Sequence, residues 1–235
     1  MEARNLLRLP IILLLLAVSG ANAETPARIQ ADYDVLKGGI KVATISETYR
    51  RSGNNYQIES VTRSAGLLSL FKPEVITVTS TGTVTERGLK PRTFVQHRKL
   101  DSERNTRADL DWESGRATLT NRNGVRTVPL PEGTQDRLSA MYQFLFLPLQ
   151  GLTALDFYMT NGNKLDSYSY RISHDQSETV PLGTIKARYV SSLPVAGENL
   201  TEIWLASEHD NFPYKLVITD PDGGKLTQVI TRYSK

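Results

Sequence analysis

Three histidines are the side chains of this sequence best suited to bind a metal or to transfer protons. His97, His174 and His209 form no H-x-H or H-x-x-x-H pair, the spacings by which a hairpin or a helix brings two imidazoles to one zinc ion. The segment SEHDNFP, residues 207–213, surrounds His209 with the composition of a polar turn before a strand. We therefore expect structural or surface histidines, and we predict no metal and no cofactor.

The serine and carboxylate patterns do not indicate an enzyme either. The sequence has no G-x-S-x-G motif, which in hydrolases exposes a nucleophilic serine on a sharp turn. Asp109, Asp111 and Glu113 alternate along one predicted strand and so share a face, where like charges are typical of a solvated surface. We expect a protein without catalysis, although residues that meet only in the fold can form a site that no sequence pattern reveals.

Most of the sequence alternates between apolar and polar residues, as β-strands with one buried face do. Ile29, Ala31, Tyr33 and Val35 show this alternation before the turn at Gly38-Gly39. Similar short segments follow, separated by turns rich in Gly, Asn, Asp and Pro. The sequence thus predicts a mostly β protein: a single-domain antiparallel, strongly twisted sheet or half-open β-barrel.

The segment TQDRLSAMYQFLFLPL, residues 134–149, has the spacing of a helix instead. Apolar residues recur at intervals of three and four from Leu138 onward, which places them on one face. Thr134 is the predicted N-cap and Pro148 ends the pattern. We expect one short helix, about Thr134–Leu147, packed against the sheet. For Asp136 and Arg137 we expect structural roles, as a charge at the helix start and as an ion pair that joins the helix to the sheet.

Residues 1–23, MEARNLLRLPIILLLLAVSGANA, have the three parts of a secretory signal peptide. Two arginines precede an apolar run from Leu9 to Val18, and Ala21-Asn22-Ala23 is a small-residue cleavage site. The apolar run is about half of the roughly 20 residues that a membrane-spanning helix needs. We expect cleavage after Ala23 and export to the periplasm of one β-rich domain, residues 24–235, without a transmembrane segment.

The composition narrows the class of protein further. The chain has no cysteine, so disulfides are excluded, and we do not expect a lipoprotein, because lipid attachment needs a cysteine at the cleavage site. The formal net charge is +3, and no run of Lys and Arg with interleaved aromatic residues is present. We therefore expect no binding to nucleic acid.

Four segments resemble a family of exported bacterial proteins known as DUF3108. They are YDVLKGGIKVA (33–43), GLLSLFKP (66–73), QDRLSAMY (135–142) and IWLASEHDNFPYKL (203–216). A weaker match is Gly88, Lys90 and Pro91 in a G-x-K-P pattern. The resemblance implies one β-rich periplasmic domain of uncharacterised function, with a fold similar to half-open barrels such as the periplasmic lipoprotein carriers. It implies no catalytic residue.

Two apolar segments are candidates for a binding site. In GLLSLFKP, four large apolar residues within five either cap the core or line the mouth of a cavity or a partner site. The Met and aromatic residues of the predicted helix belong either to the core or to the wall of an apolar cavity. Trp204 in EIWLAS alternates with Ile203 and Leu205 and can also point outward. The candidate residues are Leu67, Leu70, Phe71, Met141, Tyr142, Leu145 and Trp204.

From these patterns we predict a non-catalytic periplasmic protein of the cell envelope. Its concave β-surface would hold a lipid-like or other apolar ligand. The first alternative is an interaction module that binds another envelope protein through a sheet edge or through the LLSLF segment. The second is a hydrolase whose site is not visible in the sequence.

Overall fold

The computed structural model of the protein describes residues 26–71 and 73–235. The predicted signal peptide, residues 1–23, and its cleavage site lie outside these residues. Fifteen β-strands dominate this part of the chain. The first eight are β1 (Arg28–Lys37), β2 (Ile40–Ser52), β3 (Asn55–Ser64), β4 (Val75–Thr85), β5 (Gly88–Arg98), β6 (Thr106–Asp111), β7 (Arg116–Asn121) and β8 (Gly124–Pro129). The others are β9 (Gln135–Asp136), β10 (Ala154–Thr160), β11 (Leu165–Val180), β12 (Gly183–Ser192), β13 (Leu200–Ala206), β14 (Phe212–Thr219) and β15 (Lys225–Ser234).

Two short α-helices and three 3-10 turns complete the described elements. They are α1 (Leu67–Phe71), α2 (Arg137–Gln143) and the 3-10 turns Ser102–Arg104, Phe144–Phe146 and Ser207–His209. No helix among the described residues is long and apolar enough to cross a membrane. The prediction of a mostly β fold with a short helix packed on the sheet is confirmed.

All fifteen strands belong to one sheet with the order β8-β7-β6-β5-β4-β3-β2-β1-β15-β14-β13-β12-β11-β10-β9. Neighbouring strands are antiparallel, except that β9 pairs with β10 in parallel. In β1, every second residue from Ile29 to Val35 is buried, as the alternation predicts. Tyr33 pairs with Ile45 of β2 and with Ile230 of β15, so β1 lies at the centre of the sheet.

The sheet curls until its two ends approach, but they do not pair. The Thr106 hydroxyl of β6 donates to the Asn161 carbonyl at 2.9 Å, and the Arg126 guanidinium of β8 donates to the Asn163 carbonyl at 2.8 Å. Gly162 between them has a φ of +82°, and a Cβ there would lie 2.7 Å from the Thr106 Cβ. These contacts hold the turn between β10 and β11 against β6 and β8, which gives a half-open barrel.

The connections of this antiparallel sheet alternate between two ends of the barrel. One end carries the β4–β5, β6–β7 and β11–β12 connections, and we call it the cavity end because a cavity opens beside the first two of these. The other, the far end, carries the β1–β2, β3–β4, β5–β6 and β14–β15 connections, and α1 lies in the second of these.

Helix α2 begins later than predicted and is shorter than Thr134–Leu147. Asp136, not Thr134, is the N-cap: its side chain accepts hydrogen bonds from the backbone N–H groups of Leu138 and Ser139. Gln135 and Asp136 are extended because they pair with Met159 and Thr160 of β10. The helical spacing of apolar residues is therefore correct, but tertiary pairing of the first turn overrides it.

Helix α2 crosses the concave face and divides the core into two clusters. Tyr142 is fully buried, with its ring stacked on Tyr49 at 5.6 Å between centroids and edge-on to Phe212 at 5.4 Å. Phe144 and Leu149 pack instead with β11, β12 and β13 in the second cluster. The helix is thus the plug of the barrel.

Candidate functional site

A cavity of about 1010 Å³ opens where the two ends of the sheet fail to pair. It lies among the β4–β5 and β6–β7 connections, the segment before α2, the helix itself and β10. Its lining residues are Thr85, Glu86, Arg87, Leu89, Lys90, Trp112, Gly115, Leu130, Glu132, Gly133, Thr134, Gln135, Ala140, Gln143, Phe144, Leu147, Leu155, Asp156 and Phe157.

The cavity exists because β10 has a partner along only part of its outer edge. Within the described residues, β9 pairs with Met159 and Thr160 and leaves the edge from Ala154 to Tyr158 without a strand. The opposite border of the sheet, β8, is paired only with β7. The contacts of the β10–β11 turn close the gap at the far end, so the gap widens toward the cavity end.

The walls of the cavity are mainly apolar. Ala140, Phe144 and Leu147 recur at intervals of four and three, so one side of α2 and the following 3-10 turn faces the cavity. Leu155 and Phe157 of β10 form the wall across from them, and the Phe157 ring stacks on Tyr170 at 5.4 Å between centroids. The wall is completed by Leu89, Trp112 and Leu130.

Charged residues surround the mouth of the cavity. The Lys90 ammonium lies 5.0 Å above the Trp112 ring, whose indole N–H donates to the Pro91 carbonyl at 2.6 Å. Arg87 and Glu132 form an ion pair at 2.5 Å in which both side chains are exposed. Such exposed pairs contribute little stability, so both groups can turn toward a ligand at low cost.

The Gln143 side chain fixes the β4–β5 connection to the helix. Its amide donates to the Arg87 carbonyl at 2.8 Å and accepts from the Leu89 N–H at 2.7 Å. Gly88 between them has a φ of +100°, and a Cβ there would lie 2.4 Å from the Gln143 Oε1. The positive φ favours glycine here, and the two hydrogen bonds give one side of the cavity mouth a defined position.

The lining residues lack the side chains of a Ser–His or Cys–His pair. They include carboxylates and two threonines but no His, Ser, Cys or Tyr. Within residues 26–71 and 73–235, no three His, Cys, Asp or Glu side chains lie close enough to hold a metal ion. The geometry is suited to binding an amphiphile, with its apolar part against the walls and its polar part at the charged mouth.

A buried polar cluster lies on the other side of α2. Glu47 of β2 accepts hydrogen bonds from the Ser60 hydroxyl at 3.0 Å and from the Tyr142 hydroxyl at 3.3 Å. Burial raises the pKa of Glu47 to about 7, although these bonds and the charge of Arg137 oppose the rise. The cluster ties the helix to the sheet.

A second buried carboxylate fixes the start of the helix. Asp136 accepts from the Ser80 hydroxyl of β4 at 2.5 Å and from two backbone N–H groups of α2. Burial raises the pKa of Asp136 to about 6, against the effect of these hydrogen bonds. The ion pair expected for Arg137 is not formed: among the ion pairs of the described residues none includes it, and its side chain is exposed. The Asp136–Ser80 hydrogen bond joins the helix to the sheet instead.

The seven residues singled out from the sequence do not line this cavity. Tyr142 belongs to the core, and Met141 and Leu145 are half-buried on sides of the helix that face away from the cavity. Trp204 is half-buried against the larger core cluster, and its ring lies 5.0 Å from Tyr189 and 4.7 Å from the Lys215 ammonium.

The remaining three, Leu67, Leu70 and Phe71, are on α1 at the far end. Their side chains are 75%, 76% and 85% exposed. This exposure excludes the alternative in which LLSLF caps the core.

Sequence analysis did not identify Trp112, Phe144, Leu155 and Phe157 as residues of a shared site. They come from three separate elements, the β6–β7 connection, the 3-10 turn after α2 and β10, which only the curl of the sheet brings together. One sequence motif could have pointed to this site. Lys90 and Pro91 of the G-x-K-P segment are the residues that contact Trp112.

Comparisons with known proteins agree with this architecture. Residues 29–231 match the family model described as protein of unknown function, DUF3108. The crystal structure of a β-barrel-like protein of DUF1849 from Brucella abortus superposes with a TM-score of 0.56 at 12% identity, covering 88% of this chain and 97% of that one. At this identity the likeness shows the fold alone.

A second solved structure is more distant. A candidate lipoprotein from Parabacteroides distasonis ATCC 8503 gives a TM-score of 0.39 at 7% identity, covering 89% of this chain and 96% of that one. No curated protein matches the chain. Because the family model spans most of its length, the chain belongs to the DUF3108 family of proteins of unknown function.

Proposed function

We propose that this protein is a non-catalytic, exported protein of the bacterial cell envelope that binds a lipid-like amphiphile in the cavity. The observation that supports it most is the cavity of about 1010 Å³ with apolar walls and a charged mouth. Ligand pockets of proteins typically measure about 300–1,000 Å³ and are mainly apolar with a few polar groups, so this one is at the upper end of that range.

The position of the charges suggests how the ligand would be oriented. Lys90 and Arg87 lie at the mouth and suit an anionic head group, while Phe144, Leu155 and Phe157 contact the apolar chain. The acidic Glu86 and Glu132 lie at the same mouth, so a zwitterionic head group also has partners there.

Export is part of the proposal and is supported by the sequence of residues 1–23. Their charged start, apolar run and Ala-Asn-Ala end are typical of a signal peptide. N-terminal sequencing of the protein recovered from a periplasmic fraction tests this point. A chain that begins at Glu24 is expected, and a chain recovered only from the cytoplasm with Met1 retained would contradict export.

The two tryptophans allow a direct test of binding. In a Trp204→Phe variant, Trp112 at the cavity is the single tryptophan, whereas in a Trp112→Phe variant the single tryptophan is Trp204, which does not line the cavity. A brominated fatty acid should quench the first variant in a saturable manner and leave the second unchanged. Equal quenching of both variants, or of neither, would contradict binding in the cavity.

Native mass spectrometry of the protein from a periplasmic fraction gives an independent measurement. One bound amphiphile per chain is expected, and solvent extraction should release it. An empty protein that also fails to quench in the Trp112 assay would refute the proposal.

A second candidate function is the binding of a protein segment at the open edge of β10. The edge from Ala154 to Tyr158 has no neighbouring strand among the described residues, and an extended peptide could add to it as a further strand. A photo-crosslinker at exposed Asp156 distinguishes the two candidates in living cells. A single discrete protein adduct supports strand addition, and lipid adducts alone support the amphiphile.

A further inference from the structure

The far end of the barrel exposes a contiguous set of large apolar side chains. Three of them, Leu67, Leu70 and Phe71 of α1, are at least three-quarters exposed. The polar residue of this helix, Ser69, is less exposed and donates to the Gly66 carbonyl at 2.7 Å. At 3.6 residues per turn, the exposed apolar residues of α1 cover an arc of roughly 160°.

Strand pairing extends this surface on one side of α1. The Ala65 N–H donates to the Val42 carbonyl at 2.8 Å, which holds the start of α1 beside the first residues of β2. Ile40 at the beginning of β2 is 72% exposed. Lys37 pairs with both Ile40 and Leu226, and Leu226 is 40% exposed.

A hydrogen bond donated by a backbone N–H extends the apolar surface on the other side of α1 as well. Leu100 follows β5, and its N–H donates to the Glu74 Oε1 at 3.2 Å, directly after the segment that contains α1. The Leu100 side chain is 54% exposed. We call the resulting surface the apolar rim: Ile40, Leu67, Leu68, Leu70, Phe71, Leu100 and Leu226.

The two ends of the barrel differ in the number of large apolar side chains that they expose. At the cavity end, the large apolar residues exposed in the described connections are Leu152 at 39% and Leu182 at 47%. Soluble proteins rarely expose a contiguous apolar surface without a binding partner, whereas single exposed residues are common. The concentration at one end therefore indicates a partner of the far end.

Basic residues without an acidic partner lie beside the apolar rim. Lys37, Arg63 and Lys99 are exposed and form no ion pair among the described residues. Asp34 is neutralised by Lys41 at 2.6 Å. The exposed acids of the neighbouring connections, Glu103, Asp220 and Asp222, lie three or more residues along the chain from Leu100 and Leu226.

We propose that the apolar rim binds the surface of an anionic lipid bilayer, with α1 inserted among the head groups and the neighbouring Lys and Arg on the phosphates. The arrangement favours a bilayer over a protein groove, because the apolar face of the short helix α1 is extended by single exposed apolar residues at three other connections of the same end. Basic residues beside inserted apolar ones match an anionic membrane interface. This proposal does not depend on a ligand in the cavity, which lies at the opposite end.

Vesicle flotation of the mature protein tests the proposal. Vesicles of phosphatidylethanolamine and phosphatidylglycerol should carry the protein, and the double variant Leu70→Ser/Phe71→Ser should partition at least roughly tenfold less. The matched control is Leu152→Ser/Leu182→Ser at the cavity end, which removes the same kind of exposed side chain and should bind like the parent. Vesicles of phosphatidylcholine alone should bind the parent more weakly.

A tryptophan reporter gives the depth of insertion. Phe71→Trp should be quenched by lipids brominated on their acyl chains, and Leu182→Trp should show no added quenching over the parent. Failure of the parent to float, equal binding of the two double variants, or no preference for anionic vesicles would each overturn the proposal as stated. Because all these residues are exposed in the folded protein, unfolding does not explain a difference.

Discussion

The Tyr142 hydroxyl of α2 donates to the Glu47 Oε2 of β2 at 3.3 Å, although the two residues are 95 positions apart in the chain. Ser60 donates to the other carboxylate oxygen at 3.0 Å. Both oxygens of a buried carboxylate are thereby used, and the plug of the barrel is fastened to the sheet by a group whose pKa is raised to about 7. The charge state of Glu47 therefore affects how firmly the helix is held.

The first prediction concerns the pH dependence of stability. Burial raises the pKa of Glu47 from 4.5 to about 7, so between these values the folded protein holds a proton that the unfolded chain has lost. The free energy of unfolding should then fall as pH rises from about 4.5 to 7 and stay level above, by at most about 3 kcal/mol from this group. Urea denaturation at a series of pH values measures this.

Glu47→Gln is the matched variant for that experiment. A neutral amide keeps an acceptor for one hydrogen bond and has no proton to lose, so most of the decline between pH 4.5 and 7 should disappear. Asp136, with a pKa raised to about 6, should account for a smaller remaining slope. Glu59→Gln on the exposed face of β3 serves as the control and should retain the full slope. An unchanged slope in Glu47→Gln would refute the assignment.

The second prediction concerns the N-cap of α2. Asp136→Ala removes the acceptor of two backbone N–H groups and of the Ser80 hydroxyl, all within the core. Loss of a cap costs about 1 kcal/mol, and a buried donor left without a partner costs about 1–3 kcal/mol, so the total should be about 3 kcal/mol. Asp136→Asn, which preserves a capping oxygen, should lose much less. Equal losses in the two variants, measured by chemical denaturation, would show that capping is not the main contribution.

The fold class was readable from the sequence because strand alternation is a local property. Every second residue from Ile29 to Val35 is buried, as the pattern predicts. The helix was placed within a few residues, and its start was wrong because pairing of Gln135 with Met159 is a long-range contact. Local patterns record which side of a strand is apolar, and they do not record which strand lies beside it.

The candidate cavity could not be predicted from local sequence patterns. Trp112 and Phe157 lie near each other only because the sheet curls and leaves β10 partly unpaired, a consequence of many small twists along fifteen strands. The LLSLF segment was recognisable as unusual from composition alone. Its exposure became known from the structure, because apolar residues are equally typical of a core.

The third prediction tests the packing of the helix. Leu138 is 6% exposed and belongs to the larger core cluster, so Leu138→Asp places a carboxylate without a partner among apolar side chains. Such burial costs several kcal/mol, and the variant should melt far below the parent or fail to fold. Leu138→Met keeps the volume and should lose less than about 1.5 kcal/mol. A Leu138→Asp protein that melts like the parent would contradict the packing described above.

The fourth prediction separates two effects at Gly88, beside the cavity mouth. Gly88→Ala should destabilise the protein, because φ is +100° and the new Cβ would lie 2.4 Å from the Gln143 Oε1. Backbone strain of this kind costs about 1–3 kcal/mol by itself, and the clash adds to it. In a Gln143→Ala background the clash is absent while the strain remains, so Gly88→Ala should cost less there than in the parent. A double-mutant cycle measures the difference as a coupling free energy, expected at about 0.5–3 kcal/mol for residues in contact. A coupling near zero would mean that the Gln143 side chain does not hold the β4–β5 connection, and the mouth of the cavity would then lack the fixed side that the structure gives it.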